Sequence, residues 1–159
     1  MRLNAPKFWY DSDINPPVAA KICQPVYLFG QKLQQTLATP YKASIPVICI
    51  GNITVGGSGK TPAVRAVYKL LREKFPALKI CILSRGYGGK HKGPVAVDPQ
   101  RHNSHDVGDE PLMLAQDIPV VVSRNRKKGA QYIENKGYEV ILMDDGFQNP
   151  HLHKDISLL

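Results

Sequence analysis

Val47-Ile48-Cys49-Ile50-Gly51-Asn52-Ile53-Thr54-Val55-Gly56-Gly57-Ser58-Gly59-Lys60-Thr61 runs from an apolar stretch through a glycine turn into the start of a helical pattern. Strand, loop and helix in that order mark an α/β unit whose loop lies at the ligand-binding edge of a sheet. Gly56, Gly57 and Gly59 carry no Cβ, so the backbone can turn through positive φ and aim its N–H groups inward. The positive end of the following helix adds to that cradle, which suits phosphate. Lys60 reaches toward the β and γ phosphates of a nucleotide, and the Thr61 hydroxyl is an oxygen ligand for Mg2+. Thr54 stands where the strict pattern has its first glycine, so Thr54, Val55, Gly56, Gly57, Ser58, Gly59, Lys60 and Thr61 form a variant phosphate loop. A glycine-rich connector without function is the competing view, and the flanking strand and helix argue against it.

The loop resembles variant loops of some P-loop ATPases, although those carry a lysine at the position of Val55. After it, Val64, Val67, Tyr68, Leu70 and Leu71 continue a helix that stops near Pro76. Lys79–Leu83 is a nearly all-apolar strand, as expected where helices cover both faces of a parallel sheet. It delivers Ser84-Arg85-Gly86-Tyr87-Gly88-Gly89 at its carboxyl end, where Arg85 can meet phosphate and Tyr87 can pack on a substrate. A flexible turn with a solvated arginine remains the alternative. Pro94–Val97 reads as a short strand, Asp98–Val107 as a polar loop, and Gly108-Asp109-Glu110-Pro111 as the opening of a helix over Leu112–Gln116. Carboxylates at such a start are commonly plain caps. Pro119–Val122 reads as a buried strand, and Arg124-Asn125-Arg126-Lys127-Lys128 begins a helix through Ile133 whose cations are either a solvated face or phosphate contacts. Val140-Ile141-Leu142-Met143 then ends in Asp144-Asp145-Gly146-Phe147-Gln148, the second half of a P-loop site, where an aspartate at the strand tip holds Mg2+ directly or through water. The fold expected is α/β and P-loop NTPase-like, with a mostly parallel sheet flanked by helices.

With 159 residues and 43% hydrophobic content the chain can build one ordinary domain, 45–159, preceded by a segment over 1–44. In that segment Val18, Ile22, Val26, Phe29, Leu33 and Leu37 trace one helical face, which either lies in a membrane interface or packs on its own domain. The net charge of +8 favours phosphate-bearing partners, whether nucleotide, nucleic acid or anionic lipid. Cys23, Cys49 and Cys81 are isolated and read as reduced thiols, the five histidines fall in polar, loop-like stretches, and no spacing suggests zinc. The N-terminus lacks the apolar core of a secretory signal and no run approaches about 18 apolar residues, so the chain is expected to stay in the cytoplasm without spanning a membrane. It ends on Asp155-Ile156-Ser157-Leu158-Leu159, which reads as the start of another core strand and leads us to expect a longer protein.

Gly51–Pro62, Ser84–Gly89, Gly108–Pro111 and Asp144–Gln148, in this order, resemble the tetraacyldisaccharide 4′-kinase family, the lipid A 4′-kinases, over almost the whole chain. The resemblance implies a transferase that moves the γ-phosphoryl group of ATP, with Mg2+, to the 4′-hydroxyl of an acylated disaccharide 1-phosphate lipid at the cytoplasmic face of the bacterial inner membrane. It implies that Asp109 is the general base, that Glu110 and Asp144 serve the Mg2+ shell with Thr61, and that Asp145 and Gln148 line the same edge. Arg85 and Tyr87 become acceptor-side residues, and the N-terminal stripe becomes a peripheral membrane contact helped by positive charge. Two departures stand out. Asn149 replaces the histidine that usually follows the Asp-Asp-Gly-Phe-Gln block, and no residue here matches the histidine partner of the base that a C-terminal lobe supplies in the family. The chain is therefore expected to be the nucleotide-binding half, with little or no kinase activity alone. The alternative is a P-loop ATPase switch with no phosphorylated acceptor. A nucleic-acid module is disfavoured because the basic residues are scattered and lack interleaved aromatics.

Overall fold

The structure is a computed structural model and describes residues 39–51, 60–144, 146 and 149–158, with the backbone alone at Lys60. The N-terminal helical stripe, Cys23, the loop residues Thr54 to Gly59, and Asp145, Phe147 and Gln148 lie outside the described residues.

The chain divides after Ala38, and Thr39–Leu159 forms a unit of its own. The division falls earlier than the expected 44/45 boundary because 39–44 is fastened to the sheet unit. Tyr41 bridges Leu152 in parallel fashion, the Tyr41 hydroxyl donates to Glu134 Oε2 at 2.8 Å, and Ser44 donates to Glu134 Oε1 through its N–H at 2.5 Å and its Oγ at 2.6 Å.

In order, the elements are β1 (Val47–Ile50), α1 (Lys60–Lys74), β2 (Ile80–Ser84), β3 (Val95–Ala96), α2 (Ser104–Val107), α3 (Asp109–Leu114), β4 (Val120–Val122), α4 (Arg126–Asn135), β5 (Val140–Asp144) and β6 (Ile156–Leu158). They build a six-stranded sheet ordered β3-β4-β2-β5-β1-β6, parallel throughout except for the antiparallel β3–β4 pair. The apolar strands divide by residue parity. Cys81, Leu83, Ile141 and Met143 join Ala130 and Ile133 of α4 on one face, whereas Ile80, Ile82, Val140 and Leu142 join Val64 of α1 and Leu114 of α3 on the other. Both faces are buried, which is why these strands are continuous apolar runs.

Four expectations are corrected. The polar stretch Asp98–Val107 contains helix α2, because Asn103 caps it: its side chain accepts from His105 N–H at 2.9 Å, and Asp106 Oδ2 accepts from Asn103 N–H at 3.1 Å. His105 is thus helical. The helix opened by Gly108–Pro111 is α3, which holds both carboxylates in its first turn as expected, with Gly108 as an N-cap that offers no side chain, but it ends at Leu114 and not at Gln116. Among the described residues the strand β6 pairs with β1, and its three residues are exposed where a core strand was expected. Finally, Arg126 is buried, and so does not share a solvated face with its neighbours. The boundaries of β1 and the stop of α1 near Pro76 agree with the sequence pattern, and Arg72 closes that end by donating to the Pro76 and Leu78 carbonyls.

Candidate active site

Strands β1, β2, β4 and β5 are parallel, so their carboxyl ends meet at one edge of the sheet. At that edge Ile50 of β1 pairs in register with Asp144 of β5. The strand that feeds the glycine loop therefore ends beside the strand that ends in aspartate, and α1, which follows the loop, packs on both. Thr61 is 9% exposed in the first turn of that helix.

Asp144 is buried at 2% exposure. Ser84, the last residue of β2, places its Oγ 3.4 Å from Asp144 Oδ2. Arg126, at the first position of α4, sends Nη2 to the Asp144 carbonyl at 3.1 Å and Nη1 to the Ser123 carbonyl at 3.3 Å. Ser123 N–H in turn donates to Ser84 O at 3.0 Å. The ends of β4, β2 and β5 are thus stitched together around the aspartate, which limits the strand-tip motion that would misplace its carboxylate. Sequence reasoning left Ser84 without a role and offered Arg126 only solvent or phosphate. The signal for Arg126 was its position: the first residue of a helix separated by only three residues, 123–125, from the end of a strand at the ligand edge.

Beside this cluster, Arg85, Gly86, Tyr87, Gly88 and Arg124 line a cleft of about 270 Å³. Tyr87 is 89% exposed there, and Arg124 Nη2 donates to Gly89 O at 2.9 Å. The structure therefore brings Arg85 and Tyr87 together and adds Arg124, a cation the sequence placed only within a charged run. Asp109 and Glu110 are exposed in the first turn of α3, next to the same loop. Asp145, Gln148 and the loop Thr54–Gly59 fall outside the described residues. Among the described residues no group of three or more His, Cys, Asp or Glu gathers to hold a metal ion. Oxygen donors for Mg2+ are present singly: the Asp144 carboxylate, the Thr61 hydroxyl and the Glu110 carboxylate. Such a sparse, all-oxygen set fits an ion that keeps most of its shell for phosphate and water.

The profile of the family described as tetraacyldisaccharide-1-P 4′-kinase, LpxK, matches residues 17–159. The chain belongs to that family. The tetraacyldisaccharide 4′-kinase of Bradyrhizobium diazoefficiens is 50% identical over 99% of this chain and 46% of its own length. That of Parvibaculum lavamentivorans is 45% identical over 99% of this chain and 46% of its own length. Among solved structures, LpxK from Aquifex aeolicus, an "apo" form crystallised in complex with ATP, is 34% identical with a TM-score of 0.76 over 88% of this chain and 47% of that one. This family member thus spans about half the length of the curated relatives it matches.

Proposed function

We propose that these residues form the nucleotide-binding half of a kinase that transfers the γ-phosphoryl group of ATP to the 4′-hydroxyl of a tetraacylated disaccharide 1-phosphate. The register of Ile50 with Asp144 carries this reading, because it sets the end of the strand that leads toward the glycine loop beside the acidic strand tip at one sheet edge. The likeness to a family member solved with ATP supports the choice of nucleotide.

In this reading the backbone of Thr54–Gly59 and the Lys60 ammonium hold the polyphosphate. Asp144, Thr61 and Glu110 would hold Mg2+, which when bound neutralises charge on the β and γ phosphates. Asp109 accepts the proton of the 4′-hydroxyl as its oxygen bonds to the γ-phosphorus and the bond to the bridging oxygen of ADP breaks. Arg85 and Arg124 supply positive charge to the acceptor's own phosphate, Tyr87 packs on its sugar or acyl portion, and Asp145 and Gln148 complete the rim. The N-terminal stripe and the positive net charge keep the protein peripheral to the cytoplasmic face of the inner membrane, where such a lipid resides. Among the described residues no helix is long and apolar enough to cross a membrane.

The test is Asp109→Asn in the native gene product. Loss of a general base lowers transfer by roughly 10²- to 10⁴-fold, and ATP affinity is expected to stay unchanged. Unchanged transfer to the lipid refutes the assignment. ATP hydrolysis with no labelled acceptor in the unaltered protein favours the switch ATPase instead.

A further inference from the structure

Two glycine-containing segments at the ligand edge lie backbone against backbone. Gly108 has φ +93°, and a Cβ built on it would stand 2.4 Å from the Tyr87 carbonyl oxygen. A Cβ on Gly89 would stand 2.6 Å from Val107 C, 2.8 Å from Asp106 O and 2.8 Å from Gly108 N. One on Gly86 would meet Val122 Cγ1 at 2.3 Å and Val107 O at 3.0 Å. Most of these crowding atoms are backbone, which cannot swing aside as the end of a side chain can. The contact continues along the chain, where Lys90 N–H donates to His105 O at 2.8 Å and His91 N–H to Asp106 O at 2.9 Å. The segment 86–91 is thereby zipped to 105–108, and the next residue is Asp109.

We propose that this glycine seam is a positioning device that couples acceptor binding to deprotonation. Gly89 and Gly108 let the Arg85–Gly89 loop lie directly on the turn that presents Asp109, so the residues that hold the acceptor and the base that takes its proton move as one body. The inference rests on the function proposed above. Ordinary contact begins near 3.4 Å, so a methyl group at Gly108 is about 1 Å too close to Tyr87 O and pries the halves apart by that order. Misplacement of about 1 Å between reacting groups costs on the order of a hundredfold in rate.

The test compares Gly89→Ala, Gly108→Ala and their double variant with Gly137→Ala, all in the native gene product. Gly137 also has positive φ, +75°, but its Cβ would meet nothing within 4 Å, so it reports backbone strain without the seam. Each seam variant is expected to lower kcat about a hundredfold with the Kd for ATP within about twofold, and the double variant to lose little more than either single one. Gly137→Ala is expected to lower Tm while leaving kcat within about twofold. Seam variants that lose no more kcat than Gly137→Ala, or whose losses multiply in the double variant, overturn the proposal. Hydrogen exchange on the unaltered protein needs no substitution: the amides of Lys90 and His91 should open together with Gly108, and independent opening overturns the proposal. A protein that transfers no phosphoryl group fails the function above, whereas exchange still decides the seam.

Discussion

Replacing Arg126 with methionine keeps an unbranched stem in a buried slot and removes every donor. Arg126 is 3% exposed, and its guanidinium bonds to the carbonyls of Ser123 at 3.3 Å and Asp144 at 3.1 Å. Each buried carbonyl left without its donor costs about 1–3 kcal/mol. Two of them give about 2–6 kcal/mol, and local relaxation around the second lone pairs points to the lower half, about 3 kcal/mol. In a domain of this size, 1 kcal/mol shifts Tm by about 2–4 °C, so Arg126→Met should melt about 6–12 °C lower. Denaturant unfolding of the purified native gene product at pH 7 measures the loss, with Arg126→Lys as the partner variant. Lysine keeps the charge but not the fork that spans two strand ends, and should recover only part of the loss. A midpoint for Arg126→Met within error of the unaltered protein would refute the claim that this guanidinium holds the strand tips around Asp144.

Further outcomes follow from buried and half-buried groups. Burial pushes the Cys81 thiol from 9.0 up to about 12. Its contribution is fully present below pH 9 and is lost as pH rises from there toward about 12, because the unfolded chain gives up the proton first, with a slope of at most about 1.4 kcal/mol per pH unit. Urea midpoints measured from pH 8 to 11 should therefore fall more steeply in the unaltered protein than in Cys81→Ala, and parallel slopes contradict the assignment. Burial disfavours ionisation of Glu134, yet the bonds from Ser44 Oγ, Ser44 N–H and the Tyr41 hydroxyl outweigh it and hold the carboxylate below its ordinary 4.5. The ionised form is what stabilises, so the benefit exists above pH 4.5 and fades as pH falls through the lowered value. Tyr41→Phe should cost about 1 kcal/mol at pH 7 by denaturant unfolding and progressively less below pH 4.5. A loss that does not change with pH would show that ring packing and not the hydroxyl is at stake.

The alternation of glycine loop, helix and apolar strands made the parallel sheet legible in the residues themselves, since strands covered on both faces need no polar positions. Val140–Met143 ending in Asp144 could be matched to Val47–Ile50 by pattern, but their adjacency depends on strand order, which no local signal encodes. Arg126 was misjudged because its neighbours Arg124, Lys127 and Lys128 are exposed, and a charge run read by composition hides the one member turned inward. Helix α2 was missed because Asn103 and Asp106 look like loop residues until their reciprocal bonds are seen. Ile156–Leu158 reads as a core strand because it is apolar, but among the described residues it is exposed and its pairing with β1 is a property of the tertiary structure. Gly86, Gly89 and Gly108 stood in two separate motifs, and their contact is a property of the tertiary structure alone.

In the function proposed, one sheet edge serves both the nucleotide and the acceptor. Incubating the native gene product with γ-labelled ATP, Mg2+ and a tetraacyldisaccharide 1-phosphate tests it most directly. Label recovered as a 4′-phosphate on the lipid, and lost when Asp109 is changed to Asn, is the predicted result. Bound and hydrolysed ATP with no label on the lipid would contradict the account.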